Sequence, residues 1–143
     1  MAKIDGPGQR AAFLISAEEL AISMAASPQG PQAESGLVVV DCRFNLLQPE
    51  AGRATWLQGH IPGAFHADLD RDLSAPRRPE TGRHPLPEPG QLRALFSGYG
   101  IGKDTQVVVY DEGGGALAAR LWWLLRWMGH ACVRLLDGGF AAW

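Results

Sequence analysis

Two uninterrupted β-branched runs dominate the pattern of apolar positions, LVVVD at 37–41 and QVVVY at 106–110. Runs of this kind, without polar alternation, predict strands buried on both faces. Shorter apolar stretches predict strands at 12–15 (AFLI), 64–66 (AFH) and 132–136 (CVRLL). Ile61 precedes Pro62 and must be extended. Between the strands the period changes to that of helices, at 16–26, 49–59, 90–100 and 116–129, with another beginning at FAAW. Ser16 and Glu19 stand at capping-box spacing, Leu20 and Met24 are i,i+4, and Gly59 and Gly100 are C-terminal stops. Leu92, Leu95 and Phe96 share one face of their helix. Leu117, Leu121, Leu124 or Leu125, and Met128 form a stripe on another. Residues 1–11 read as a flexible lead-in and 27–36 as a polar turn cluster. The stretch 67–90, with five prolines and mixed charges, is too long for an ordinary connection.

Five alternations of strand and helix predict one α/β domain over residues 12–143, a parallel five-stranded sheet with helices on both faces. In such sheets ligands lie beyond the carboxyl ends of the strands. Asp41, Cys42, Arg43, His66, the loop at Asp111, and Asp137 all fall at that edge.

Composition narrows the function. A chain of 143 residues, 46% hydrophobic, can bury one core, and a net charge of −2 without a basic stripe argues against nucleic acid. The polar start MAKIDGPGQR has no apolar signal region, and no apolar run approaches the ~20 residues of a membrane span, so a soluble cytoplasmic protein is expected. Cys42 and Cys132 are far apart and read as two buried thiols of a reducing compartment. The four histidines form no i,i+4 pair, so neither metal nor cofactor is expected.

The segment VYDEGGGALAAR, 109–120, joins a strand to a helix through Asp111, Glu112, Gly113, Gly114 and Gly115. Unpaired N–H groups at a helix N-terminus favour anions, and glycine N–H groups turned inward would add a nest. A cysteine at position 111 would have its thiolate stabilised there. Aspartate instead uses the same donors for its own carboxylate, and it cannot carry a persulfide. The glycines match neither a dinucleotide-binding fingerprint nor a P-loop.

The ordered set VVVDCRF, GHIPGAFHAD, HPLPEPGQL, VVVYDEGGG, AARLWWLLRWMGH and VRLLDGGFAAW resembles the N-terminal domain of two-domain rhodaneses, the thiosulfate and 3-mercaptopyruvate sulfurtransferases. The resemblance covers nearly all of 12–143. It implies a three-layer rhodanese-like fold, and a catalytic cysteine that belongs to a C-terminal domain this chain lacks. Asp111 falls at the family's nucleophile position, so 111–115 would be a retired active-site loop. The implied reaction takes sulfane sulfur from a small anionic donor onto a cysteine, as a persulfide, and passes it to cyanide or a thiol. The C-terminal domain would be the partner, across an interdomain cleft.

Other residues keep two readings each. His60 either bonds the last carbonyls of its helix or faces the cleft. Asp41 and Arg43 form an ion pair or serve the cleft, and Cys42 is an inert core thiol or a sulfur carrier. Cys132 reads as a small buried hydrophobe. The arginines at 71, 77, 78 and 83 belong to a solvated loop or one packed on the missing domain. Trp123 and Trp127 lie off the leucine stripe, either as core or as an interdomain surface. A free-standing inactive binding module is the rival to the two-domain reading.

Overall fold

A computed structural model describes residues 7–27 and 36–143. In chain order the elements are α1 (Pro7–Phe13), β1 (Leu14–Ile15), α2 (Ala17–Ala26), β2 (Leu37–Asp41), α3 (Ala51–Gln58), β3 (Phe65–His66), α4 (Pro89–Gly98), β4 (Gln106–Tyr110), α5 (Ala116–Trp127), β5 (Val133–Leu136) and α6 (Gly139–Ala142). The strands form one sheet in the order β1-β5-β4-β2-β3, every pair parallel. The two valine runs lie side by side at its centre, Leu37 to Asp41 in register with Gln106 to Tyr110.

Alternate residues of these strands feed two cores. Val40, Val107, Val109 and Val133 pack with Leu92 and Phe96 of α4 and with Leu121, Leu124 and Leu125 of α5. Val39, Val108, Tyr110 and Leu136 pack on the opposite face with Leu20 of α2 and Phe140 of α6. The result is the predicted three-layer arrangement. The capping box is formed as expected: Ser16 Oγ accepts from Glu19 N at 3.1 Å and the Glu19 carboxylate accepts from Ser16 N at 2.9 Å.

Two expectations are corrected. Residues 7–13 are helical where a lead-in to 11 and a strand from 12 were expected, so only Leu14 and Ile15 remain as strand. Pro7 suits a first helical turn, and the following residues carry good helix formers without an apolar stripe to announce them. Residues 1–6 of that lead-in, and most of the 27–36 turn cluster, lie outside the described residues. The proline-rich connection keeps Arg71, Arg77, Arg78 and Arg83 exposed, as a solvated loop does, while its backbone is tied to its own domain. The Arg120 guanidinium, from α5, donates to the carbonyls of Leu73 (2.9 Å), His84 (3.0 Å) and Pro85 (3.2 Å). Gln91 Nε2 reaches the carbonyls of Arg71, Asp72 and Ser74. One half-buried cation thus satisfies loop carbonyls that would otherwise be stranded. Burial in turn lowers the Arg120 pKa.

Candidate functional site

The carboxyl edge is built around Asp111, which follows β4 directly and is 4% exposed. Its Oδ1 accepts from Gly113 N and Gly115 N, each at 3.0 Å, and its Oδ2 from Leu117 N at 3.1 Å and Ala118 N at 3.0 Å. A single carboxylate therefore caps α5 and closes the loop preceding it. Gly115, the residue at the cap position, is left-handed (φ +83°) and brings no side chain of its own. Glu112, Gly113 and Gly114 are exposed.

The loop is locked from the other side by α6. Phe140 N donates to the Asp111 carbonyl at 2.8 Å, and Ala141 N to that of Glu112 at 3.4 Å. This approach needs Gly139: its φ is +59°, and a Cβ there would stand 2.6 Å from the Asp111 carbonyl and 2.7 Å from Gly113 N. The LDGG segment of the sequence is the complement of the DEGGG loop.

Beside the loop lies a buried polar network. Asp41, wholly buried at the end of β2, accepts at Oδ1 from Arg43 N (2.9 Å) and at Oδ2 from Arg43 Nη2 (2.6 Å) and Tyr110 Oη (2.9 Å). The same guanidinium donates to the Gly59 carbonyl at 2.6 Å and lies over the Phe140 ring, 4.1 Å from its centroid. Burial opposes the charge on Arg43, but the hydrogen bonds and attraction of Asp41 outweigh it and the pKa rises. Burial, foremost, holds the Tyr110 hydroxyl protonated well above its ordinary range. Arg43 and Cys42 are therefore corrected as cleft-facing candidates: they are 4% and 2% exposed. A buried Asp41 needs a counter-charge, and the nearest arginine turns inward to supply it.

The Cys42 thiol is held well above the ordinary cysteine range, by burial first and then by the charges of Asp41 and Asp111. A thiolate is the reactive form, so this side chain is an inert core group. Cys132, expected to be buried, is exposed. It precedes β5 rather than opening it; its carbonyl accepts from Val107 N at 2.9 Å while Val133 takes the core position.

His60 sits half-buried, its Nδ1 2.7 Å from the Trp56 carbonyl in the last turn of α3, its ring stacked on Trp56 at 4.4 Å. Trp123 and Trp127 stack on each other at 5.6 Å on the outer side of α5, and each is 45% exposed. Trp122 is the tryptophan that joins the core. Sequence reasoning missed the Arg120 clamp and the exposed Leu46 and Leu47 of the turn after β2.

The fold is a wholly parallel α/β sheet whose strand-to-helix loop is filled by its own carboxylate. The rhodanese-like domain family matches residues 25–143, and the chain belongs to that family. The curated relatives include a probable 3-mercaptopyruvate sulfurtransferase of Pseudomonas aeruginosa, 50% identical over 92% of this chain and 44% of its own length. They also include a putative thiosulfate sulfurtransferase, SseB, of Mycobacterium tuberculosis, 42% identical over 94% of this chain and 44% of its own. Among solved structures, the 3-mercaptopyruvate sulfurtransferase SseA of Escherichia coli matches with a TM-score of 0.71 at 32% identity, over 92% of this chain and 47% of that one. The enzyme from Leishmania major matches with a TM-score of 0.78 at 29% identity, over 96% and 34%. The chain spans less than half the length of these curated relatives. No helix among the described residues is long and apolar enough to cross a membrane.

Proposed function

We propose that this chain is the noncatalytic rhodanese-like domain of a cytoplasmic two-domain sulfurtransferase. The enzyme moves sulfane sulfur from thiosulfate or 3-mercaptopyruvate to cyanide or a thiol. The nucleophile is a cysteine of the second domain, which takes sulfur from the donor as a persulfide and releases it to the acceptor. This domain shapes one wall of the cleft, and the second domain covers the Trp123–Trp127 face. The observation that carries the reading is the Asp111 carboxylate holding four N–H groups, two of its loop and two of the first turn of α5, where a reacting thiolate or donor anion would need them. Relatives more than twice as long support it. So does the inert Cys42, which leaves this edge without a working thiol.

The test is a cyanide assay of the 143-residue chain with thiosulfate and with 3-mercaptopyruvate. The expected rate equals that of a Cys42→Ser, Cys132→Ser control. Turnover above that control refutes the reading and returns the chemistry to this domain.

A further inference from the structure

The turn after β2 presents two leucines to solvent, Leu46 at 46% and Leu47 at 90% exposure. Leu47 is the most exposed large apolar side chain among the described residues. The turn is built to hold them out. Asn45 Oδ1 accepts from Leu47 N at 2.9 Å and from Gln48 N at 3.3 Å, and Gln48 N also lies 3.2 Å from the Asn45 carbonyl. Ala51 N donates to the Gln48 carbonyl at 2.9 Å, and Arg83 from the long loop to that of Leu46 at 2.5 Å. On one side Phe44 packs against the core. On the other α3 enters directly beneath Arg43, an approach that only Gly52 permits, since a Cβ there would collide with the Arg43 carbonyl. A loose loop would let the leucines fold back onto the protein; this turn does not.

Its place says what it meets. β2 is paired with β4, so the turn after β2 and the Asp111 loop after β4 share the carboxyl edge. Asp111 has used the anion donors of that edge, so its chemistry must come from whatever faces it. Trp123 and Trp127 lie elsewhere: at 1.5 Å per residue they are roughly 12 and 18 Å down α5 from Gly115, toward the opposite end of the sheet.

We propose that Leu46 and Leu47 form an apolar knob that seats in the second rhodanese-like domain at the rim of the cleft. The occupant follows from the relatives, more than half of whose length lies outside this chain. The inference rests on the two-domain reading above.

The experiment uses the two-domain protein encoded with this chain. Leu46→Asp with Leu47→Asp should lower kcat/KM for sulfur transfer on the order of a hundredfold, each leucine left unburied being worth about tenfold or more, and split one calorimetric transition into two. The same pair in the 143-residue chain should lower its melting temperature only slightly, because Leu47 is almost wholly in water and Leu46 about half. Leu57→Asp, 65% exposed on α3, is the control that leaves the two-domain enzyme as it was. An active two-domain protein in which the leucine variant keeps its rate and its single transition overturns the knob alone. A wild-type 143-residue chain that sediments as a dimer, dispersed by the leucine variant, overturns it in favour of a second copy. A gene without a second domain overturns both this inference and the two-domain reading.

Discussion

Replacing Asp111 by cysteine places a thiol among donors that hold a carboxylate today. Four backbone N–H groups converge there, two from the loop and two from the first turn of α5. A hydrogen bond to a charged group is worth about 1.5–3 kcal/mol, and one pKa unit is about 1.4 kcal/mol. A single sulfur engages fewer donors than two oxygens do, and burial with the nearby Asp41 charge opposes ionisation. A net gain of about 2–4 kcal/mol lowers the thiol from its ordinary ~8.5 to about 5.5–7. The background is Cys132→Ser. Cys42 stays silent, because burial holds it protonated. Thiolate absorbance and the pH dependence of iodoacetamide alkylation both read the value. Linkage gives an independent check. A thiol whose folded pKa is depressed contributes stability that is present above its unfolded pKa and lost as pH falls through the folded one. The variant's melting temperature, compared with its Asp111→Ser counterpart, should therefore rise between about pH 6 and 8.5. Titration at or above ~8.5 in a folded variant would refute the claim that these donors form an anion cradle.

Three further outcomes are expected. Burial raises the Asp72 carboxyl, against the hydrogen bond from Asp68 N and with the Asp68 charge; stability then falls as pH rises through the window from the ordinary aspartate range to that raised value. Asp72→Asn should be more stable than wild type at neutral pH, and equal to it in denaturant titrations below the aspartate range. Ellman's reagent should react at once with the exposed Cys132 and with the buried Cys42 only after denaturation; two fast thiols would contradict the core placement. Polar replacement of Trp123 and Trp127 should abolish apolar-dye binding or self-association of the chain while leaving the melt cooperative, whereas an unfolded double variant would make the pair structural.

The central sheet was legible because continuous valine runs have one stable home, between two helical layers. The capping box was legible because Ser16 and Glu19 are local. What escaped was set by partners distant in sequence. Arg120 reads as a solvated charge until residues 73–85 fold back and turn their carbonyls toward it. Arg43 reads as an edge cation until Phe140, from the far end of the chain, covers it. Cys132 has the chemistry of a core residue but stands one position before its strand. Leu46 and Leu47 could not be told from core leucines, since apolarity alone does not show which way a turn faces. At Asp111 the residue types sufficed to expect a carboxylate among loop donors; their number and partners came from the geometry.

The edge strand β1 pairs with β5, Leu14 beside Leu135, across about 120 residues of intervening chain. Sheets closed this way have high contact order and fold slowly. During synthesis, at ~5–20 residues per second, Ile15 waits roughly 6–24 s for Leu136. Over that interval the β5-facing edge of β1 has no strand beside it; once β4 is made its edge stands open too, and Gly139 is not yet there to hold the Asp111 loop. The nascent chain passes through a stage with open strand edges, the form in which β proteins aggregate. Its yield in the cell should depend on how quickly the ribosome covers that last stretch, a vulnerability of timing that the finished fold does not display.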